Sequence, residues 1–144
     1  MISPPDFDEF FLSTWGKEWK FGDYHRTTYS VNPQRHPNLR DQHFPDDYCA
    51  KAVHIKCTPM SDMVYVSTRD SVVHSLVPYP ASRSAHKPDQ AQVVFTSFGN
   101  GYLGYVGDVN QEDATTDVVI GLCSWKSHPA AEAILGTRLD VEYA

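Results

Sequence analysis

The first residues of the chain have a helical spacing of apolar side chains. The hydroxyl side chain of Ser3 precedes two prolines, an order that is typical of the first turn of a helix. Aromatic residues then recur at helical spacing until Gly16. The pattern predicts a helix with an aromatic buried face, formed by Phe7, Phe10, Phe11 and Trp15.

Strand-like segments follow this helix. In the segment Asp23–Val31, side chains would alternate between two faces, with His25, Thr27 and Tyr29 on one of them. Residues 48–57 alternate in the same way. Further strands are predicted at residues 63–67, 72–77, 92–98 and 102–106. Residues 32–47 are predicted to be a long polar loop that contains several prolines, and residues 78–90 a second loop that is too polar to bury.

A second helix is predicted from about Ala114 to Trp125, beginning near the capping-type residue Thr115. A short helix at about residues 130–135 is predicted in the tail. On the longer helix, the apolar residues Val118, Val119, Leu122 and Cys123 are expected to be buried.

Residues 99–104 have the G-x-G-x-x-G spacing of a nucleotide-binding loop. A dinucleotide loop must be followed at once by a helix, whereas Tyr105 and Val106 continue as a strand. Asn100 and Gly101 between two β-rich runs are the strongest short-range signal for a hairpin. We therefore predict a β-hairpin with a type I′ turn, and no nucleotide or other cofactor.

Length and charge restrict the class of protein. The 144 residues suit one domain, and no boundary divides residues 1–144. The net charge of −6 disfavours nucleic acid as a partner. No apolar run approaches the roughly 20 residues of a membrane helix, and the N-terminus lacks the pattern of a signal peptide. Three cysteines without a C-x-x-C pair predict free thiols and a cytoplasmic location.

Acidic and amide side chains crowd the segment between the hairpin and the second helix. Asp108, Asn110 and Glu112 resemble the start of a calcium loop, but Asp113 stands where that loop requires glycine. Acids also favour a helix N-terminus. We therefore expect no metal here. Asp108, Asn110 and Glu112, with His25, remain the candidates for a catalytic role.

Metal binding, nucleophilic catalysis and an aromatic binding surface have weaker support in the sequence. The seven histidines show no paired metal-ligand spacing, so we predict no zinc site. There is no G-x-S-x-G motif, and Cys57 and Cys123 are interpreted as small core residues. Asp23, His25 and Arg26 could orient a substrate, or simply face water. A further alternative is an exposed aromatic platform for carbohydrate or protein, formed by Trp15, Trp19 and Tyr24.

The order of these segments resembles the C-terminal half of class I glutamine amidotransferase-like domains, particularly the ThuA-like branch. The similarity runs from about Phe7 to Trp125. It rests on FDEFFLSTWG, KAVHIKC, MVYVS and AQVVFTSFGNGYLGYVGDVNQE. The resemblance implies an α/β fold: a partial flavodoxin-like sheet with a C-terminal β-hairpin and flanking helices.

The chain departs from this family in two places. The family begins with βαβ units that carry a nucleophilic cysteine, and this chain starts after that point. Family members that hydrolyse glutamine carry a histidine after the last strand, where this chain has Asp108. The resemblance therefore implies an incomplete domain without its nucleophile, and an unpaired sheet edge with exposed apolar surface. We expect marginal stability, self-association, or a partner that completes the sheet.

Three functions follow from these observations. The first is a noncatalytic amidotransferase-like domain that acts as an interaction module, and it is the one we favour. The second is a hydrolase-type enzyme in which Asp108 and Glu112 perform acid–base chemistry, which requires carboxylates with perturbed pKa values. The third is a small carbohydrate- or protein-binding module.

Overall fold

A computed structural model describes residues 3–74 and 84–125. The predicted strand residues 75–77, residues 78–83 of the second predicted loop and the tail helix at 130–135 lie outside the described residues. The elements are α1 (Pro4–Trp15), β1 (Lys20–Val31), β2 (Asp47–Lys56), β3 (Met63–Val66), β4 (Gln90–Ala91), β5 (Val93–Phe98), β6 (Gly101–Val106) and α2 (Asp113–Cys123). Of the predicted strand 72–77, Val72 and His74 each form one isolated β-bridge.

The fold is mixed α/β, built on one six-stranded sheet with the order β4-β2-β1-β3-β5-β6. Every pairing between these strands is antiparallel. A flavodoxin-like sheet is parallel, so that part of the prediction is not confirmed. Parallel neighbours need a long crossover connection, usually a helix. Here α1 precedes all the described strands and α2 follows them.

The sheet curls until its two sides meet. Ala91 and Val93 almost adjoin in sequence, yet Ala91 pairs with β2 and Val93 pairs with β3. Residues 107–109 complete the closure. The amide of Gly107 donates to the carbonyl of Gln92 (2.8 Å), and the Gly107 carbonyl accepts from the amide of Val53 (3.0 Å). Strands β2, β1, β3 and β5 and residues 107–109 thus form one hydrogen-bonded ring.

This closure changes the expectation of an unpaired edge. The second edge of β2 is occupied by β4 and by residues 107–109. Within the part of the chain that the structure describes, no strand pairs with the outer edge of β6. The unpaired edge among the described residues is thus the outer edge of the hairpin, whereas the resemblance implied an edge left by strands missing from the centre of the sheet.

The first helix forms as predicted. Ser3 is its N-cap and accepts from the amide of Asp6, and Gly16 ends it with φ +62°. One side of the helix packs on one face of the sheet. Phe11 and Trp19 are buried there with Ile55, Met63 and Val94, and Phe7 and Trp15 pack against this cluster. Phe10 is about half exposed, contrary to the prediction that it is buried.

The predicted polar loop 32–47 in fact covers the opposite face of the sheet. Leu39 and Phe44 from this segment are buried with Tyr65 and Val118. Two of its polar residues, Asn32 and Asn38, are also buried, and both have hydrogen-bond partners. The Asn32 side-chain amide donates to the carbonyls of Met60 (2.9 Å) and Met63 (2.8 Å). Proline and polarity indicated a loop correctly but not its burial.

The hairpin prediction is confirmed, and its turn differs by one residue. Phe98 pairs with Gly101, so the two central residues are Gly99 and Asn100. Gly99 has φ +55°, and Asn100 is not among the residues with positive φ. Glycine at the first central position, followed by a residue with negative φ, is the pattern of a type II′ turn rather than type I′.

Two predicted core cysteines are exposed. Helix α2 packs through Val118, Gly121 and Leu122, spaced three and four residues apart, and Gly121 lies against the Phe44 ring. That orientation turns Cys123 outward, and it also exposes Val119, for which burial was predicted. Cys57 follows the end of β2 with φ +63°, in a turn rather than in the strand.

Candidate functional site

The segment between β6 and α2 holds the predicted acidic residues, and Asp108 organises it. One carboxylate oxygen of Asp108 accepts from the amide of Asn110 (2.9 Å). The other accepts from the amide of Glu112 (2.7 Å) and from Thr115 Oγ1 (2.6 Å). Asp108 therefore ties the loop to the first turn of α2. The helix N-cap residue is Glu112 rather than the predicted Thr115, and its side chain makes no capping hydrogen bond.

Glu112 connects the same loop to the sheet. Its carboxylate accepts from Nη2 of Arg26 on β1 at 2.6 Å, and both side chains are about one-third exposed. Nη1 of Arg26 lies 3.9 Å from Sγ of Cys49 on β2. These contacts raise the pKa of Arg26, mainly through the hydrogen bond to Glu112. The guanidinium thus holds the loop against β1.

Asp108 does not have the raised pKa of a general acid. Partial burial acts to raise the pKa of Asp108, but the hydrogen bonds from Thr115 and from two amides outweigh it. The net pKa is lower than that of an ordinary aspartate. A general acid at neutral pH needs a raised pKa instead. Asn110 is exposed and contributes only its backbone amide to these contacts.

The structure separates His25 from these acids. His25 and Arg26 are neighbours on β1, so their side chains point to opposite faces of the sheet. Arg26 contacts Glu112, whereas the His25 ring stacks on the His54 ring at 4.7 Å between centroids. The predicted set of candidates therefore divides into two places, one on each side of β1.

His54 is a buried residue that the sequence analysis did not single out. Its Nδ1 lies 2.8 Å from the carbonyl of Asp23, and its Nε2 lies 2.9 Å from the hydroxyl of Tyr29. Since the carbonyl can only accept, Nδ1 carries the proton and Nε2 accepts from Tyr29. Burial lowers the pKa of His54 to about 4. The signal in the sequence was the alternation that places His54 on the same side of β2 as Ala52.

A cavity of about 230 Å³ opens beside the first half of β1. Residues 72–74 run along this strand, because the amide of His74 donates to the carbonyl of Arg26 (2.8 Å). Thr27 Oγ1 also donates to the carbonyl of Val72 (2.6 Å). The described residues that line the cavity are Asp23, Tyr24, His25, Val73, Ser84 and Lys87.

The proposed aromatic platform does not exist as one surface. Trp19 is 3% exposed and packs on Phe11. Trp15 is partly buried, and its ring contacts Phe98 at 5.2 Å. Tyr24 is 48% exposed, and Lys51 Nζ lies 5.0 Å from the centre of its ring. Of the three, Tyr24 is the one that lies at the cavity.

Across residues 3–74 and 84–125, no group of three His, Cys, Asp or Glu side chains is placed to hold a metal ion. No helix among the described elements has the length and apolarity needed to cross a bilayer.

Comparison with known proteins found no match to this chain among family models, curated proteins or solved structures.

Proposed function

We propose that this chain is a noncatalytic interaction module. The observation that carries the proposal is that Asp108 and Glu112, the acids that an enzyme would need, are both engaged in contacts that hold the fold. The resemblance to an amidotransferase-like domain without its nucleophile supports the same conclusion.

The outer edge of β6 is the surface at which we propose that the partner binds. An open strand edge presents unpaired amide and carbonyl groups that another strand can join. Two exposed apolar side chains flank β6 in sequence, Phe98 before it and Val109 after it. A second copy of the chain is the partner that we propose, because two identical edges can pair antiparallel about a two-fold axis.

The location that we propose is the cytoplasm. Cys49, Cys57 and Cys123 are all free and exposed. Exposed thiols persist in a reducing compartment and are oxidised elsewhere.

The test uses Gly104, which lies in the middle of β6 opposite Phe95. Hydrogen-bonded and non-hydrogen-bonded pairs alternate along a hairpin, and the pair that flanks a two-residue turn is hydrogen-bonded. Counting from Phe98 and Gly101, the amide of Gly104 points away from β5. Gly104→Pro removes that outward donor and should block edge pairing.

The measurement is sedimentation velocity over increasing protein concentration. We expect the unmodified chain to associate, and Gly104→Pro to shift the apparent dissociation constant upward by about tenfold or more. Gly104→Ala is the matched control and should associate like the parent, because its Cβ meets only Leu122 Cδ1, at 3.7 Å. A chain that remains monomeric at every concentration contradicts the proposal, as does association that Gly104→Pro leaves unchanged.

A further inference from the structure

The turn of the β5–β6 hairpin contains an asparagine that is followed by glycine, Asn100 and Gly101. In this order the main-chain nitrogen of the glycine can attack the side-chain carbonyl carbon of the asparagine, because glycine has no Cβ to crowd the attack. The new N–Cγ bond closes a succinimide ring, and the side-chain nitrogen leaves as ammonia. Water then opens the ring at either carbonyl and gives aspartate or iso-aspartate. The only other reactant is water.

The turn exposes the reacting side chain. Residues 97–100 are all exposed, and the Asn100 side chain makes no hydrogen bond to any residue that the structure describes. Gly101 is paired with Phe98, and the pair that flanks a two-residue turn is hydrogen-bonded. Cyclisation therefore requires the opening of this outermost pair, and local openings of exposed turns cost little free energy.

The strand before the turn has anchors outside the hairpin. The Trp15 ring at the end of α1 contacts the Phe98 ring at 5.2 Å between centroids. Two residues further along the chain, Lys17 Nζ donates to the carbonyl of Ser97 (3.1 Å). Because these contacts hold β5, the turn can open and react while the rest of the fold stays intact.

The other three asparagines of the chain each lack one of these conditions. Asn32 is followed by proline, which has no N–H, and its side-chain amide donates to two carbonyls. Asn38 is 4% exposed and donates to a tyrosine hydroxyl at 2.6 Å. Asn110 is exposed, but it is followed by Gln111, whose side chain crowds the attacking nitrogen. The chain thus contains its own comparisons for the turn.

We propose that Asn100 is a modification site, at which the hairpin turn deamidates spontaneously through a succinimide formed with Gly101. The iso-aspartate product routes the main chain through Cβ, so it lengthens the backbone between Phe98 and Gly101. Either product adds a negative charge to the turn. The inference does not depend on the interaction role of the β6 edge, because the reacting atoms lie in the turn.

The experiment is incubation of the purified chain at physiological temperature in mildly alkaline buffer, where the amide nitrogen loses its proton more readily. Samples taken over time are digested at mildly acidic pH, which limits conversion during digestion. Peptide mass spectrometry with electron-transfer fragmentation distinguishes iso-aspartate from aspartate. We expect Asn100 to convert at a rate about tenfold or more above that of Asn110. Both products should appear, because the ring opens at either carbonyl.

Gly101→Ala tests the mechanism. The new Cβ would meet only the Phe98 carbonyl oxygen, at 3.9 Å, and Gly101 is not among the glycines with positive φ, so the hairpin accommodates alanine. The methyl group crowds the attacking nitrogen and should slow the conversion of Asn100 by about tenfold. Gly104→Ala adds the same methyl group elsewhere on β6 and should leave the rate unchanged. Dispersed amide spectra of both variants would establish that they fold.

Two results would overturn the inference in different ways. If Asn100 stays unmodified, or converts no faster than Asn110, the turn protects its side chain. If Asn100 converts equally fast in Gly101→Ala, or gives aspartate alone, the glycine nitrogen is not the attacking group. Either result leaves the sedimentation test of the β6 edge unaffected.

Discussion

At the scale of single residues, His54 shows how the interior accommodates a titratable group. Its side chain is 3% exposed, and both ring nitrogens have partners that suit the neutral imidazole. Protonation would place a donor opposite the Tyr29 hydroxyl and a charge in the core beside the His25 ring. The fold therefore favours the neutral form of His54, and the folded state binds a proton on this ring more weakly than the unfolded chain does.

This weaker proton binding predicts how stability depends on pH. The pKa of His54 falls from 6.5 in the unfolded chain to about 4 in the fold. The unfolded state therefore binds more protons between these values, and the free energy of unfolding decreases as the pH falls through this window. The loss should reach about 3 kcal/mol. Urea denaturation at a series of pH values measures it.

Two histidine variants test the assignment. His54→Gln should be less stable than the parent at neutral pH and should lack most of this pH dependence. His43→Gln changes an exposed histidine and should keep it. A parent-like slope in His54→Gln would show that other groups cause the effect.

At the scale of elements, α2 is held by contacts with both the loop before it and the sheet. Val118 and Leu122 pack it on the sheet, whereas Asp108 fixes its first turn. The amphipathic pattern predicted the existence of this helix. Of the four residues that it predicted to be buried, two are buried in the structure, Val118 and Leu122. It did not predict the exposed Val119 and Cys123, because the rotation of a helix depends on what covers it, here Phe44 from a distant loop.

Asp108→Asn should therefore destabilise the fold. The amide NH₂ that replaces one carboxylate oxygen cannot accept a hydrogen bond. Asparagine therefore loses either the bond from the amide of Asn110 or both bonds from Thr115 and the amide of Glu112. We expect a loss of about 2 kcal/mol in the free energy of unfolding, measured by urea denaturation at neutral pH. Asn110→Ala changes an exposed side chain in the same loop and should stay within about 0.5 kcal/mol of the parent.

Acid conditions provide a second check on Asp108. Its pKa is lower in the fold than in the unfolded chain, so its stabilising effect exists above the unfolded pKa and is lost as the pH falls through the folded value. Protonated aspartate resembles asparagine in charge. The difference between the parent and Asp108→Asn should therefore shrink below about pH 4. A constant difference would indicate that charge is not involved.

At the scale of the whole molecule, the closed ring of strands joins two separate apolar clusters. One cluster lies under α1, and the other lies under α2 and the loop 32–46. The backbone contacts of residues 107–109 with β2 close the ring, and Gly107 is the point of closest approach. A Cβ on Gly107 would lie 2.0 Å from the carbonyl oxygen of Val53. This leaves no room for any other residue unless the backbone moves.

Gly107→Ala should open this closure and lower the free energy of unfolding by about 3 kcal/mol or more. Gly104→Ala, three residues earlier, adds the same methyl group in ordinary contact distance and should leave stability nearly unchanged. Thermal and urea denaturation of both variants compare them. Equal stability of the two would mean that residues 107–109 do not close the sheet.

Short-range sequence patterns were enough to predict individual helices and the hairpin, whereas contacts between distant segments fix the order of the strands and the residues that are buried. Capping residues at Ser3 and Gly16 and the glycines of the hairpin act within a few positions, so α1 and the β5–β6 hairpin could be predicted. The antiparallel order, the burial of the loop 32–46 and the separation of His25 from Asp108 all depend on contacts between distant segments. Local pattern carries no information about such contacts, because the same alternation of side chains suits parallel and antiparallel neighbours. The acidic loop was found from sequence alone, and only the three-dimensional contacts showed that its carboxylates hold the fold together.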